Sequence, residues 1–271
     1  MKNVKVLTVS QSIHPFLDEP EMATVARQLP QGILESGNEI RVFMPKFGCI
    51  NERRHQLHEV IRLSGMNLII NDTDHALLIK VASVPNVRMQ VYFIDNEEYF
   101  KRKSTWLGKD GSFHPDNDER ALFFCRGVLE TVRKLGWVPD IIHMHGWMTA
   151  FLPLYIRRKF ADDPHFENAK LVFSVYDEKP EALDKDMVKK LTMEGFDPDL
   201  LKDLKKPTTE DLYRLGMDLS DAVVKGSPKL SKSLESAIRS TEKPVLAHPA
   251  ADDLVSAHAD FYQSVLEEAL V

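Results

Sequence analysis

The densest run of chemically competent side chains in the sequence is His143-Met144-His145-Gly146-Trp147. Alternate residues of an extended chain share a face, so His143 and His145 point the same way, and at the C-terminal end of a parallel strand they would face a ligand crevice. Two imidazoles can begin a metal site. No third cysteine, histidine or carboxylate stands at a recognisable spacing, so no metal is assigned. The expectation is one histidine satisfied in the core and the other at the crevice, where Trp147 offers a flat apolar face to a sugar ring or a neighbouring helix. A second concentration is acidic: Asp18-Glu19-Pro20-Glu21, in the turn after the first strand. Sheets that bind nucleotides carry phosphate-cradling glycines in that turn. Here three carboxylates would repel a phosphate, and their structural use is to complement a helix N-terminus. There is no Walker loop, and Gly108-Lys109-Asp110-Gly111 neither follows a convincing strand nor opens a helix. No G-x-S-x-G elbow positions a nucleophile and no carboxylate pair stands out at a strand end. No catalytic residue and no cofactor are assigned.

The elements that must position these groups follow an α/β pattern: short β-branched runs alternate with longer amphipathic ones, the signature of a mostly parallel sheet covered by helices. Val4–Val9 reads as a buried strand, Glu19–Glu35 as a helix closed by Gly37 and kinked or restarted at Pro30, and Ile40–Met44 as a second strand. Leu57–Ile70, Ala76–Val84 and Arg88–Ile94 alternate with a shorter period, which predicts a small antiparallel insertion over about 55–115. Leu122, Cys125, Val128, Leu129, Val132 and Leu135 share one face of a helix over Asp118–Gly136. A strand at Ile141–His143, a helix from near Trp147, strands at Leu171–Val175 and Ala222–Val224, and two closing helical stretches complete the pattern, the last over about 252–270. Between them lies a charged helical region, Asp184–Met217, in which Lys185–Lys206 reads as a solvated face or mobile loop. The whole chain, 1–271, is expected to be one domain.

Composition narrows the partners. The 271 residues carry 35 Lys+Arg and 41 Asp+Glu, a net charge of -6, which argues against a nucleic-acid face. Cys49 and Cys125 are the only cysteines and lack metal spacing, which suits a reducing, cytoplasmic setting. The N-terminus enters a strand pattern directly, with no apolar signal core. The longest uncharged run, Ile141–Ile156, is too short for a membrane span and contains His143, His145, Gly146 and Pro153.

Taken together, several segments resemble the N-terminal half of the glycogen and starch synthases, the family-5 glycosyltransferases. The resemblance rests on Pro15-Phe16, Leu29-Pro30 with Gly37, Arg41-Val42 through Pro45-Lys46-Phe47-Gly48, and Tyr99-Phe100 with Arg102. It continues through Asp116-Asn117, Arg120-Ala121-Leu122-Phe123-Phe124, and Trp137-x-Pro139-Asp140-Ile141-Ile142-His143-x-His145-x-Trp147-x-Thr149-Ala150. It closes with Ser220-Asp221-Ala222-Val223-Val224 and Ser227-Pro228. It implies a Rossmann-like three-layer domain, the first of the two in a GT-B fold. In that family this domain carries the acceptor glucan, and glucose passes from a nucleotide-glucose in the cleft between the two domains. Fewer than fifty residues follow Pro228, too few for the second, donor-binding domain, which is therefore expected to be absent.

The chemical positions depart from the family. Asp18-Glu19-Pro20-Glu21 stands where the family has Lys-Thr-Gly-Gly, Gly146 where His-Asp-Trp carries its aspartate, and Ser174-Val175-Tyr176-Asp177 where the family has Thr-Ile-His-Asn. The expectation is a domain that binds α-1,4-glucan or a malto-oligosaccharide without transferring glucose by itself, with His143, His145, Trp147, Tyr176 and Asp177 lining the crevice. Two alternatives stay open: a glucosyltransferase completed by a partner chain, and a docking or regulatory module, a homodimer or bound to a partner protein.

Overall fold

The structure, a computed structural model, describes residues 3–17, 20–202, 204 and 206–267. Strand β1 (Lys5–Ser10) leads into helix α1 (Pro20–Glu35) and β2 (Glu39–Pro45), a parallel βαβ unit in which Val6 pairs with Ile40. Helix α1 runs unbroken through Pro30, against the expected kink. Proline forfeits one backbone hydrogen bond there, but Met22, Ala26, Leu29 and Ile33, all buried, hold the helix on the sheet on both sides of it.

Four strands follow: β3 (His58–Glu59), β4 (Met66–Ile70), β5 (Thr73–Ser83) and β6 (Gln90–Asp95). The long strand β5 pairs antiparallel with β6, β3 and β4. Strand β6 also pairs parallel with β2, so the segment assigned to the insertion belongs equally to the main sheet. The short helix α2 (Glu97–Phe100) is capped by Asn96, whose side chain accepts from the backbone N–H groups of Glu98 and Tyr99 at 2.9 and 3.0 Å. Helix α3 (Asn117–Leu135) ends at Gly136, whose φ of 61° closes the helix in the left-handed conformation.

Strand β7 (Ile141–His145) extends two residues beyond its expected end, and a 3₁₀ turn at Trp147–Thr149 leads to α4 (Phe151–Lys159). Strand β8 (Lys170–Val175), helices α5 (Met187–Met193) and α6 (Thr209–Leu219), β9 (Ala222–Lys225), α7 (Lys232–Ser240), β10 (Val245–Leu246) and α8 (Leu254–Glu267) complete the chain. Helix α8 covers most of the closing helix expected over 252–270; residues 268–270 lie outside the described residues. The charged stretch is not wholly a solvated face. Met187 and Leu191 are buried, and Lys190 Nζ lies 2.8, 2.7 and 2.7 Å from Asp118, Glu119 and Asp184, tying α5 to the start of α3.

The sheet order is β10-β9-β8-β7-β1-β2-β6-β5-β3, with β4 alongside β5. From β10 to β6 every pairing is parallel. The chain leaves β1 to one side through β2 and β6, then returns to the other side through β7. The switch point therefore lies between the C-terminal ends of β1 and β7, the place where open α/β sheets receive ligands. Gly32 lets α8 close on α1, since a Cβ there would stand 2.4 Å from a methyl of Val255. No helix among the described residues is long and apolar enough to cross a membrane.

Candidate functional site

At the switch point the chain fills its own crevice. Gly146 follows β7 with φ of +89° and would place a Cβ 2.4 Å from Gln11 Oε1. Gln11 is fully buried; its Oε1 accepts the Met148 backbone N–H at 3.1 Å and its Nε2 donates to Glu178 Oε1 at 2.8 Å. The other oxygen of Glu178 accepts the Tyr213 hydroxyl. Burial pushes the Glu178 carboxyl up to about 7 although both donors favour its anion.

His143 and His145 lie on one face, their ring centroids 4.0 Å apart, but the structure encloses both instead of presenting one at the crevice. The reason is α8, which lays Tyr262 and His258 over them. His143 Nδ1 lies 2.6 Å from the Tyr262 hydroxyl and its Nε2 lies 2.7 Å from Ser174 Oγ. His145 Nδ1 lies 2.9 Å from the Tyr176 hydroxyl, while its Nε2 has no hydrogen-bond partner among the described residues. Burial holds His143 well below the ordinary imidazole range, His145 down to about 3 and His258 to about 4, so all three are neutral at pH 7. Burial likewise drives the hydroxyls of Tyr176 and Tyr262 upward. No group of three or more metal-capable side chains forms among the described residues.

Trp147 belongs to a different neighbourhood. It is 2% exposed, with its ring centroid 6.4 Å from that of Trp106 and 5.5 Å from that of Phe113. These three rings with Glu178, Lys179 and Glu181 line an open cleft of about 320 Å³ at the C-terminal ends of β7 and β8. Lys179 Nζ lies 2.9 Å from Glu181, and the Glu181 backbone N–H donates to Thr209 Oγ1 at 3.0 Å. Asp177 is exposed beside the cleft, and its backbone N–H donates to Ser227 Oγ at 3.1 Å. Ser227 Oγ in turn donates to the carboxylate of Glu21, in the first turn of α1. Pro20 opens α1; Asp18 and Glu19 lie outside the described residues.

The residues singled out in the sequence thus form three separate groups: the His143–His145–Tyr176 cluster under α8, Trp147 in the aromatic cleft, and Asp177 and Glu21 joined through Ser227. Sequence reasoning missed Gln11, Trp106, Phe113, Glu178, His258 and Tyr262. Gln11 and Glu178 carried a usable signal, since each follows a parallel strand by one to three residues, where ligand-facing groups of such sheets stand.

The sheet order and the cleft beside its switch point define a doubly wound α/β domain. Residues 5–241 match the family model described as the starch synthase catalytic domain, and the chain belongs to that family. Glycogen synthase of Chlorobaculum parvum is 33% identical over 237 residues, 87% of this chain and 48% of that protein. Glycogen synthase of Chlorobaculum tepidum is 34% identical over 258 residues, 88% of this chain and 51% of that protein. That of Chlorobium limicola is 40% identical over 176 residues, 65% of this chain and 36% of that protein. The chain spans about half the length of the first two, and the matched region covers about a third of the third. Among solved structures, the catalytic domain of starch synthase IV from Arabidopsis thaliana bound to ADP and acarbose superimposes with a TM-score of 0.74 at 18% identity, over 91% of this chain and 51% of that one.

Proposed function

We propose that this glycogen/starch-synthase-like domain binds α-1,4-glucan and does not transfer glucose by itself. The observation that carries the reading is the cleft where the half-buried ring of Phe113, backed by the buried Trp106 and Trp147, faces Glu178 and Glu181. Aromatic faces cover the apolar faces of pyranose rings, and carboxylates accept from the ring hydroxyls. Membership of a glucan-synthesising family supports that ligand class. The chemical positions support the second half. A cation and two glycines that would approach donor phosphates are replaced by Asp18-Glu19-Pro20-Glu21, and Gln11 occupies the space beside Gly146 where the family carries an aspartate. Two free thiols, one buried, fit a reducing cytoplasm.

Calorimetric titration with maltoheptaose tests the ligand. Trp147 is core, so Phe113→Ala, which removes a half-buried ring at the cleft, is the informative variant, with Glu178→Gln beside it. Saturable binding weakened about tenfold by Phe113→Ala is expected, the stacking loss of one ring. Absence of heat from folded protein defeats the glucan reading. ADP release from ADP-glucose on added glycogen, by this chain alone, defeats the non-catalytic one.

A further inference from the structure

Strand β4 pairs with β5 along one edge only among the described residues. Open edges are normally blunted by charge, proline or a covering element. Met66-Asn67-Leu68-Ile69-Ile70 has no charge and no proline, and Leu68 and Ile70 are fixed against the core while Ile69 is 64% exposed. Beside this edge runs a groove of about 620 Å³, bounded by β4, by Arg126 and Glu130 on α3, and by Met193 and Glu194 at the end of α5. Met193 is 50% exposed, so two of the five exposed large apolar side chains among the described residues line one channel.

The polar lining is asymmetric. Asp72, Glu130 and Glu194 supply three carboxylates; Glu130 is matched by Arg126 and by Arg133 at 2.8 Å, and Lys159 acts on Glu194 from outside the lining, so the acid still open to a newcomer is that of Asp72 and Glu194. Arg126 is already held by Glu130 at 3.0 Å and lies over the rings of Tyr155 and Phe160. One oxygen of Glu194 accepts the Tyr155 hydroxyl; the other, Oε1, is enclosed and has no partner among the described residues. A carboxylate oxygen left this way costs free energy until a donor arrives. A second copy of the same face would bring further acid to an acidic channel, so a self-pair is disfavoured.

We propose that this groove docks an extended segment of a partner protein, added as a strand to the open edge of β4, with apolar side chains against Ile69 and Met193 and a lysine or arginine reaching Glu194. The length of β4 allows about five residues of pairing, or roughly 17 Å. Backbone hydrogen bonds to the edge supply affinity, and the acidic wall supplies the choice of a basic side chain.

The test is selection of a random-heptapeptide display library on the 271-residue chain, with Ile69→Lys as counter-target. That substitution places a charge on the edge and leaves the core face of β4 untouched; an unchanged circular dichroism spectrum and thermal midpoint verify its fold. The expected result is enrichment of alternating apolar peptides carrying lysine or arginine. A synthetic copy of the most enriched peptide should lose binding to Ile69→Lys and bind Glu194→Gln about tenfold more weakly, the loss of one charge-assisted contact. Equal enrichment on the counter-target, peptides without a basic residue, or indifference to Glu194→Gln each overturn the proposal. So does a wild-type dimer in sedimentation that Ile69→Lys abolishes, because the occupant would then be a second copy.

Discussion

Gln11 and Gly146 act as one unit, because the side chain of the first occupies the volume a Cβ on the second would need. Gly146→Ala meets both a φ of +89° and a contact of 2.4 Å, and should cost about 3 kcal/mol in urea unfolding. Adding Gln11→Ala removes the collision, so the double variant should lose at least about 1 kcal/mol less than the two single losses combined; strict additivity would show that Gln11 can simply step aside. Glu178 gives a second prediction. Its folded value of about 7 stands above the ordinary 4.5, so the folded chain holds a proton that the unfolded chain has released between those values. Stability contributed by the protonated group is complete below about 4.5 and is lost as pH rises through 7. Glu178→Gln should therefore gain about 1–2 kcal/mol relative to wild type between pH 5 and pH 8, measured from urea midpoints, and a gain in the opposite direction refutes the buried carboxyl. The same residues show where sequence legibility ends. The shared face of His143 and His145 is set by the period of a strand and could be seen. Their enclosure depends on Tyr262, 119 residues beyond His143, which no local pattern announces.

At the scale of elements, α8 brings its own neutral imidazole, His258, onto the neutral pair His143 and His145. Unfolded histidine titrates near 6.5, whereas His145 and His258 in the fold wait until about 3 and 4. Their stabilising contribution is complete above 6.5 and drains away as pH falls toward those values. Urea unfolding should show stability falling by about 1 kcal/mol or more between pH 6 and pH 5, against the smaller opposite trend from Glu178. His258→Phe should reduce that slope by about a third; an unchanged slope would mean that His258 is not titrating with unfolding. Legibility at this scale followed chemistry. The parallel strands were readable because burial on both faces makes them continuous apolar runs. Strand β10 was not, since two residues carry no period; helical character over α5 was, but its burial was hidden, because Lys190 is held inside by three carboxylates and not by apolar spacing. Helix α1 absorbs Pro30 because packing on the sheet outweighs one missing hydrogen bond.

At the scale of the whole molecule, one contiguous core runs from Val6 to Val265 and includes Trp106, Trp137 and Trp147. Tryptophan fluorescence and far-ultraviolet circular dichroism should therefore report one urea midpoint; two separated transitions would show that the β3–β5 region melts on its own. The α/β class and the family were legible because the matching segments are scaffold, and scaffold is what strand and helix periodicity encodes. The cleft was not, because Trp106 and Phe113 reach it from an irregular loop. The central position of β1 has a further consequence, for the order of synthesis. One flank of β1 can close as soon as Pro45 has left the ribosome, but Val6 meets Ile141 on the other flank. At ordinary elongation rates roughly 5–20 s separate those events. For that interval the middle of the future sheet is an open edge, and the nascent chain is most vulnerable to misassociation at its centre, with one rim able to form and the other not yet made.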